Sequence, residues 1–199
     1  MKTIVLKGEV RNDLGKKATK ALRIEGKVPC VVYGNNINKN FSIYEHDFKN
    51  LVYTPNTYLV YLNLGDDKIL AKLQDIQFHP VNDAIVHADF MVISPDNPIT
   101  LSIPVSLSGN APGVRAGGKI NLKIKKLLVK GLIKDMPDSI NIKVDNLEIG
   151  QNIRVGDISI EGIELLDTKA NSVVSCSVTR ASMSSDSENA NAAEAKSEG

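Results

Sequence analysis

Cysteine is scarce in this chain: only Cys30 and Cys176 occur, far apart and at no metal-ligand spacing. That excludes a disulfide framework and a cysteine-built metal site, and it fits buried thiols in a reducing compartment. Long apolar runs are missing too. The opening MKTIVLKGEV has no apolar stretch behind its lysine, and no segment reaches membrane-spanning length, so neither a secretory signal nor a membrane helix is expected. The sequence therefore reads as soluble and cytoplasmic, and Asn40-Phe41-Ser42, which matches a glycosylation acceptor, is accidental in that setting. Net charge is also nearly absent, at +1 over 199 residues.

That small total conceals a cluster. Residues 1–34 hold eight Lys or Arg against Glu9, Asp13 and Glu25, a local balance of +5, whereas residues 35–92 hold four against seven acids. A phosphate backbone responds to such clustering more than to overall charge. Between Gly15 and Gly26 the residues Lys16–Glu25 are good helix formers with no proline, which predicts one short helix. At roughly 100° per residue, Lys16, Lys20 and Arg23 share a stripe, with Ala18 and Leu22 turned away. Like charges four residues apart weaken an isolated helix by a few tenths of a kcal/mol, roughly, so folding does not ask for this stripe. A polyanion would use it, although a solvated lysine face is the bland alternative.

Alternation over residues 3–11 predicts a half-buried strand that leaves Arg11 exposed at its end. VPCVVYG reads as a buried strand, with Tyr33 offering a ring or a hydroxyl. A strand at Phe41–Tyr44 leads to a short helix over about Glu45–Val52, whose early acids suit the positive end of the helix dipole. TYLVYLNL and KILAKLQDIQF flank Gly65-Asp66-Asp67 as a hairpin, and IVHADFMV alternates again with His87 and Asp89 on one side. About six strands and two short helices are best accommodated by a closed or nearly closed barrel. His87 and Asp89 stand side by side on their strand, with His79 not far off in sequence. Metal or acid/base chemistry, a hydrogen-bonded surface pair, and readout of ribose or base edges in a shallow RNA minor groove all remain open for them.

Beyond residue 92, SPDNP supplies a linker, and ITLSIPVSLSG, KINLKIKKLLVKG, SINIKVD, NIRV and NSVVSCSVTR read as strands of a second all-β domain. Gly113 to Lys119 has the spacing of a phosphate-binding loop, but Ile120 stands where Ser or Thr would hold magnesium, and a strand pattern follows where a helix is needed. A glycine loop between strands explains it. Lys123, Lys125, Lys126 and Lys130 could touch RNA, but an ordinary solvated β face is the favoured account of their charges. Residues 181–199 hold almost nothing apolar and carry a charge of −3, which predicts disorder.

Four ordered motifs then carry a resemblance. Arg11-x-x-x-Gly15-Lys16-x-Ala18-Thr19-Lys20-Ala21-Leu22-Arg23, Gly26-Lys27-Val28-Pro29-x-Val31-Val32-Tyr33-Gly34, Gln74-Asp75-Ile76-Gln77-x-His79-Pro80 and His87-Ala88-Asp89-Phe90 resemble bacterial large-subunit ribosomal protein L twenty-five, whose longer form is the general stress protein Ctc. The similarity continues through Pro112–Gly118, Met136–Ile140 and Leu147–Gly150. It implies a non-enzymatic structural component of the large ribosomal subunit that binds 5S rRNA in the central protuberance. Residues 1–92 would be the rRNA-binding barrel, 93–180 a C-terminal β domain touching neighbouring rRNA and ribosomal proteins, and 181–199 a disordered acidic tail. The RNA-facing positions would be Arg11, Lys16, Lys20, Arg23, Tyr33, His87 and Asp89, with His79 secondary. No cofactor, metal, membrane or small-molecule substrate is implied. The chain departs from the family at Lys20 and Ala21, where paired arginines are common, exchanging two-pronged phosphate contacts for one flexible point charge. Two competing readings share these residues: a stress-linked RNA-binding factor acting partly off the ribosome, and a metal-dependent hydrolase using His79, His87 and Asp89.

Overall fold

In the computed structural model, which describes residues 1–65 and 67–178, the first strand follows its alternation. β1 (Lys2–Val10) sends Leu6 into the core and leaves Val5 and Lys7 outside. Gly8 also faces inward, where an added Cβ would come within 2.7 Å of Leu64 and 2.8 Å of Phe41, so a larger residue would force these core side chains to shift. There follow α1 (Lys16–Ile24), β2 (Lys27–Gly34), β3 (Ile37–Tyr44), a 3₁₀ turn (Glu45–Phe48) running into α2 (Lys49–Val52), β4 (Tyr58–Leu64), β5 (Asp67–Phe78) and β6 (Ile85–Val92). They form a closed six-stranded barrel in the order β1-β3-β2-β6-β5-β4, as the sequence led us to expect. Closure comes from parallel pairing of β1 with β4, from Lys2 opposite Tyr58 to Gly8 opposite Leu64. The core is sealed by Phe41, Phe48 and Phe90, fully buried, with ring centroids 5.8 and 6.4 Å from Phe90.

One strand begins earlier than its sequence pattern suggests. β3 starts at Ile37 because Asn35 and Asn36 both take positive φ, 48° and 60°, and Gly34 pairs with Ile37 across a two-residue hairpin. Asparagine tolerates that left-handed conformation, and such turns match the twist of the flanking strands.

The chain divides into two compact units: Met1–Leu101 with Gly131–Asp138, and Ser102–Lys130 with the described residues from Ser139 on. Within the first unit the Met1 ammonium lies 3.4 Å from Asp138, and Lys72 Nζ donates to the Thr100 carbonyl at 2.7 Å. The remaining elements are β7 (Ile99–Ser108), a one-turn α3 (Pro112–Arg115), β8 (Lys119–Leu122), β9 (Lys126–Gly131), β10 (Ile140–Lys143), β11 (Asn152–Arg154), β12 (Ile163–Leu165) and β13 (Ser172–Ser177). They make one sheet ordered β10-β7-β9-β12 and another ordered β11-β13-β8.

The expected strand over residues 119–131 is two strands in two sheets. The N–H groups of Lys123 and Ile124 both point at the Val173 carbonyl, which ends the pairing with β13, and the Lys125 carbonyl then accepts from Val105 in the other sheet. The glycine loop before β8 is set by packing. A Cβ at Gly113 or Gly118 would lie 2.7 or 2.9 Å from the buried Cys176 sulfur, and Ile120 follows in a strand rather than a helix. The acidic tail over residues 181–199 lies outside the described residues.

Candidate nucleic-acid interface

α1 is poorly provided for as a helix. Gly15 precedes it at φ 112° with no side-chain cap, its first turn has no acid, and none of its residues is fully buried. Lys16 and Lys17 sit at the positive end of the helix dipole, where cations are unfavourable. Half-buried Ala18 and Leu22 face away from the stripe, and Arg23 supplies a tether: its Nε and Nη2 donate to the Val86 carbonyl at 3.2 and 3.0 Å. Lys16 and Lys20 are left exposed as expected. Arg23 is exposed as well, but much of its hydrogen-bonding capacity is spent on β6.

The strands beneath carry a polar row. The Arg11 N–H bonds the Asn40 carbonyl at 3.0 Å, and Asn40, Val31, Asp89 and Asp75 are successive cross-strand partners over β3, β2, β6 and β5. Arg11, at the end of β1, and Asp89 on β6 are thus three strand spacings of about 4.8 Å apart around the barrel. Both reach out of solvent. Arg11 Nε and Nη1 and Asp89 Oδ1 are buried without a hydrogen-bond partner. His87 Nδ1 is 2.6 Å from Asp89 Oδ1, close enough for a charge contact although the two are not aligned as a hydrogen bond. Burial pushes the Cys30 thiol up; the Arg11 charge opposes that and the Asp89 charge adds to it, which places both near this core sulfur. Buried polar groups are costly unless matched, and the two Arg11 nitrogens have no hydrogen bond among the described residues to offset that cost.

Tyr33, two residues beyond Val31 on β2, is partly exposed between its cross-strand partners Asn38 and Met91. His79 stands apart. It sits in the exposed turn after β5, its Nδ1 accepting from Val81 N–H at 3.3 Å and its N–H bonding the Ala84 carbonyl at 2.8 Å, whereas the cross-strand neighbour of His87 is Gln77. Among the described residues no three His, Cys, Asp or Glu side chains gather as a metal site would require.

The structure also brings forward residues that the sequence reading did not single out. Val10, Asn12, Leu14, Asn38 and Asn40 join Arg11, already expected to face RNA, in bordering an open concavity of about 350 Å³. The signal was the asparagine-rich run Asn35–Asn40, which looks like a loop until its hairpin is recognised.

A closed six-stranded barrel that carries exposed lysines on a helix tied to β6 has the charge distribution of a small RNA-binding module. Residues 6–90 match the Ribosomal L25p family and residues 98–180 match the C-terminal domain of ribosomal protein TL5. The chain is 46% identical over 185 residues to large ribosomal subunit protein bL25 of Azobacteroides pseudotrichonymphae, covering 92% of this chain and 98% of that protein. It is 46% identical over 188 residues to bL25 of Phocaeicola vulgatus (91% and 95% covered) and 41% over 183 residues to that of Porphyromonas gingivalis (91% and 95%). The chain belongs to the bL25 family of large-subunit ribosomal proteins. These are ribosomal proteins and not enzymes, so the hydrolase reading falls.

Proposed function

We propose that this protein is a structural component of the large ribosomal subunit in the cytoplasm, and that its barrel binds 5S rRNA in the central protuberance. The relatives' role as large-subunit proteins supports the first part. The observation that carries the second is the exposed pair Lys16 and Lys20 on α1, a helix that Arg23 ties to the Val86 carbonyl of β6, the strand that also carries His87 and Asp89. The lysines neutralise phosphate. Arg11 donates to phosphate or a base acceptor, and Tyr33, His87 and Asp89 meet ribose hydroxyls and base edges in a wide, shallow minor groove. Asp89 neighbours Asp75 across the strands, and two carboxylates repel phosphate, so this part of the row suits hydroxyl or amino donors. Arg23 holds α1 in place as well as adding charge, and His79 lies at the margin.

A gel-shift titration of the full chain against matching 5S rRNA and an unrelated duplex of equal length, at two salt concentrations, tests the proposal. Preference for 5S rRNA that survives the higher salt is the expected result. Equal, salt-sensitive binding to both RNAs would leave only generic attraction and overturn it.

A further inference from the structure

From Asn97 to Lys134 the chain contains seven cations and no acid, and six of them, Arg115, Lys119, Lys123, Lys125, Lys126 and Lys130, fall in the second unit. All six are exposed, and none makes an ion pair among the described residues. Their placement is ordered. Lys119 and Asn121 project from β8, the edge of its sheet, at steps of about 6.7 Å, while Ile120 and Leu122 turn inward opposite Cys176 and Val174. Lys123 closes the ladder with its N–H on Val173 at 2.9 Å, and exposed Lys125 follows. Beside the lysines, Asn121 Nδ2 donates to Ser177 Oγ at 2.9 Å, so amide and hydroxyl groups sit among the ammonium groups. The acids of this unit come later in sequence. Glu164 is on β12, next to β9, which makes Lys126 and Lys130 the more compensated cations and the β8 edge the freer ones.

Lysine on an edge strand discourages strand-to-strand association, and one or two would serve that end. Three exposed lysines in close succession, Lys119, Lys123 and Lys125, with no acid between them, exceed it. Lysine, asparagine and serine are the side chains that contact phosphate oxygens, and β8 exposes no aromatic on which a base could stack.

We propose that the β8 edge of the second unit and the crossing segment that follows it, through Lys119, Lys123 and Lys125 with Asn121, are a second RNA-binding surface that holds a phosphate backbone without reading its sequence. It takes from the proposed ribosomal role only the identity of the polyanion as RNA. The barrel supplies selectivity and this edge supplies salt-sensitive affinity for adjoining RNA.

The test uses the full chain in four forms: unchanged, Lys119→Gln/Lys123→Gln/Lys125→Gln, Lys16→Gln/Lys20→Gln, and all five changes together. Circular dichroism confirms that each is folded. Binding to a 5S rRNA fragment, to an unrelated 20-base-pair RNA duplex and to polyglutamate is measured over a salt series. The triple variant should lose slope in log K against log salt on the unrelated duplex by roughly 0.7–0.9 for each phosphate contact removed, about two units in all, while keeping its preference for 5S rRNA. The five-fold variant should bind the unrelated duplex more weakly than either parent. An unchanged affinity and slope in the triple variant would overturn the second surface while leaving the barrel proposal standing. An unaffected Lys16→Gln/Lys20→Gln variant would strike the barrel proposal alone. If the triple variant lost polyglutamate binding and kept RNA binding, the edge would be a site for an acidic protein, and the RNA assignment would fail.

Discussion

On the barrel, Arg11 has two guanidinium nitrogens shut away from solvent and Arg23 is tied to a backbone carbonyl, whereas all six cations between Ser102 and Lys130 stand exposed. The contrast separates two ways of holding RNA. Groups fixed in position by packing favour one arrangement of partners over another, and the cost of leaving them unmatched gives that preference its size. Flexible exposed lysines respond to charge density and forgive shape. The fixed groups lie on the barrel and the flexible lysines on both units, so a chain that carries both kinds would divide selectivity from affinity.

The largest test removes the support of the fixed groups. Phe90, fully buried between Phe41 and Phe48, alternates with Asp89 on β6, so Phe90→Ala should loosen the strand that carries the carboxylate. A loss of about 3–5 kcal/mol in denaturant unfolding is expected. Discrimination between 5S rRNA and an unrelated duplex should fall further than affinity for the duplex. If discrimination survived that loosening, packed geometry would not be its source.

A smaller pair of changes draws the distinction within the barrel itself. Asp89→Ala should narrow the gap between cognate and unrelated RNA by about 1–3 kcal/mol, with little change in salt slope. Lys20→Ala should weaken both RNAs alike and reduce the slope by about one. Competition binding at several salt concentrations reads both quantities. Identical effects from the two variants would erase the distinction drawn between fixed and flexible groups.

How much of this could be read in the sequence follows the range of the interactions involved. The β1 alternation, the Lys16–Arg23 stripe and the pairing of His87 with Asp89 depend on residues close in sequence, and each reappears in the structure. The β2–β3 hairpin was local too, but Asn35-Asn36 is a less familiar signal than a glycine-containing pair. What the sequence hid was long-range. The tether from Arg23 to Val86 spans 63 residues, and the division of residues 119–131 between two sheets depends on Val105 and Val173. Grouping of residues 131–138 with the barrel unit cannot be inferred from a composition that changes smoothly there. It bears on any dissection, since a fragment ending near residue 95 would lack both Thr100, the partner of Lys72, and Asp138, the partner of the N-terminus.

The smallest expected effect concerns Lys72, a cation used neither for selectivity nor for affinity. Its side chain is buried on β5 with Nζ on the Thr100 carbonyl, and burial lowers its pKa from the usual 10.5. The unfolded chain then holds the proton more tightly than the folded one. Between the folded pKa and 10.5 the unfolded state binds more protons, so this group makes stability rise with pH across that window and penalises folding most fully below it. Lys72→Met removes the titration while keeping much of the apolar stem. The stability difference between the variant and the unchanged chain should therefore shift toward the unchanged chain as pH moves from 7 toward 10.5. Taking the difference cancels the other alkaline titrations, including Lys27, whose pKa is raised by the hydrogen bond it donates to Glu9. Denaturant midpoints at pH 7 and pH 10 measure the shift. A difference that stayed flat with pH would mean that the Lys72 ammonium is as well solvated as the lysines of β8, and that the barrel's buried cations differ less from exposed ones than their positions indicate.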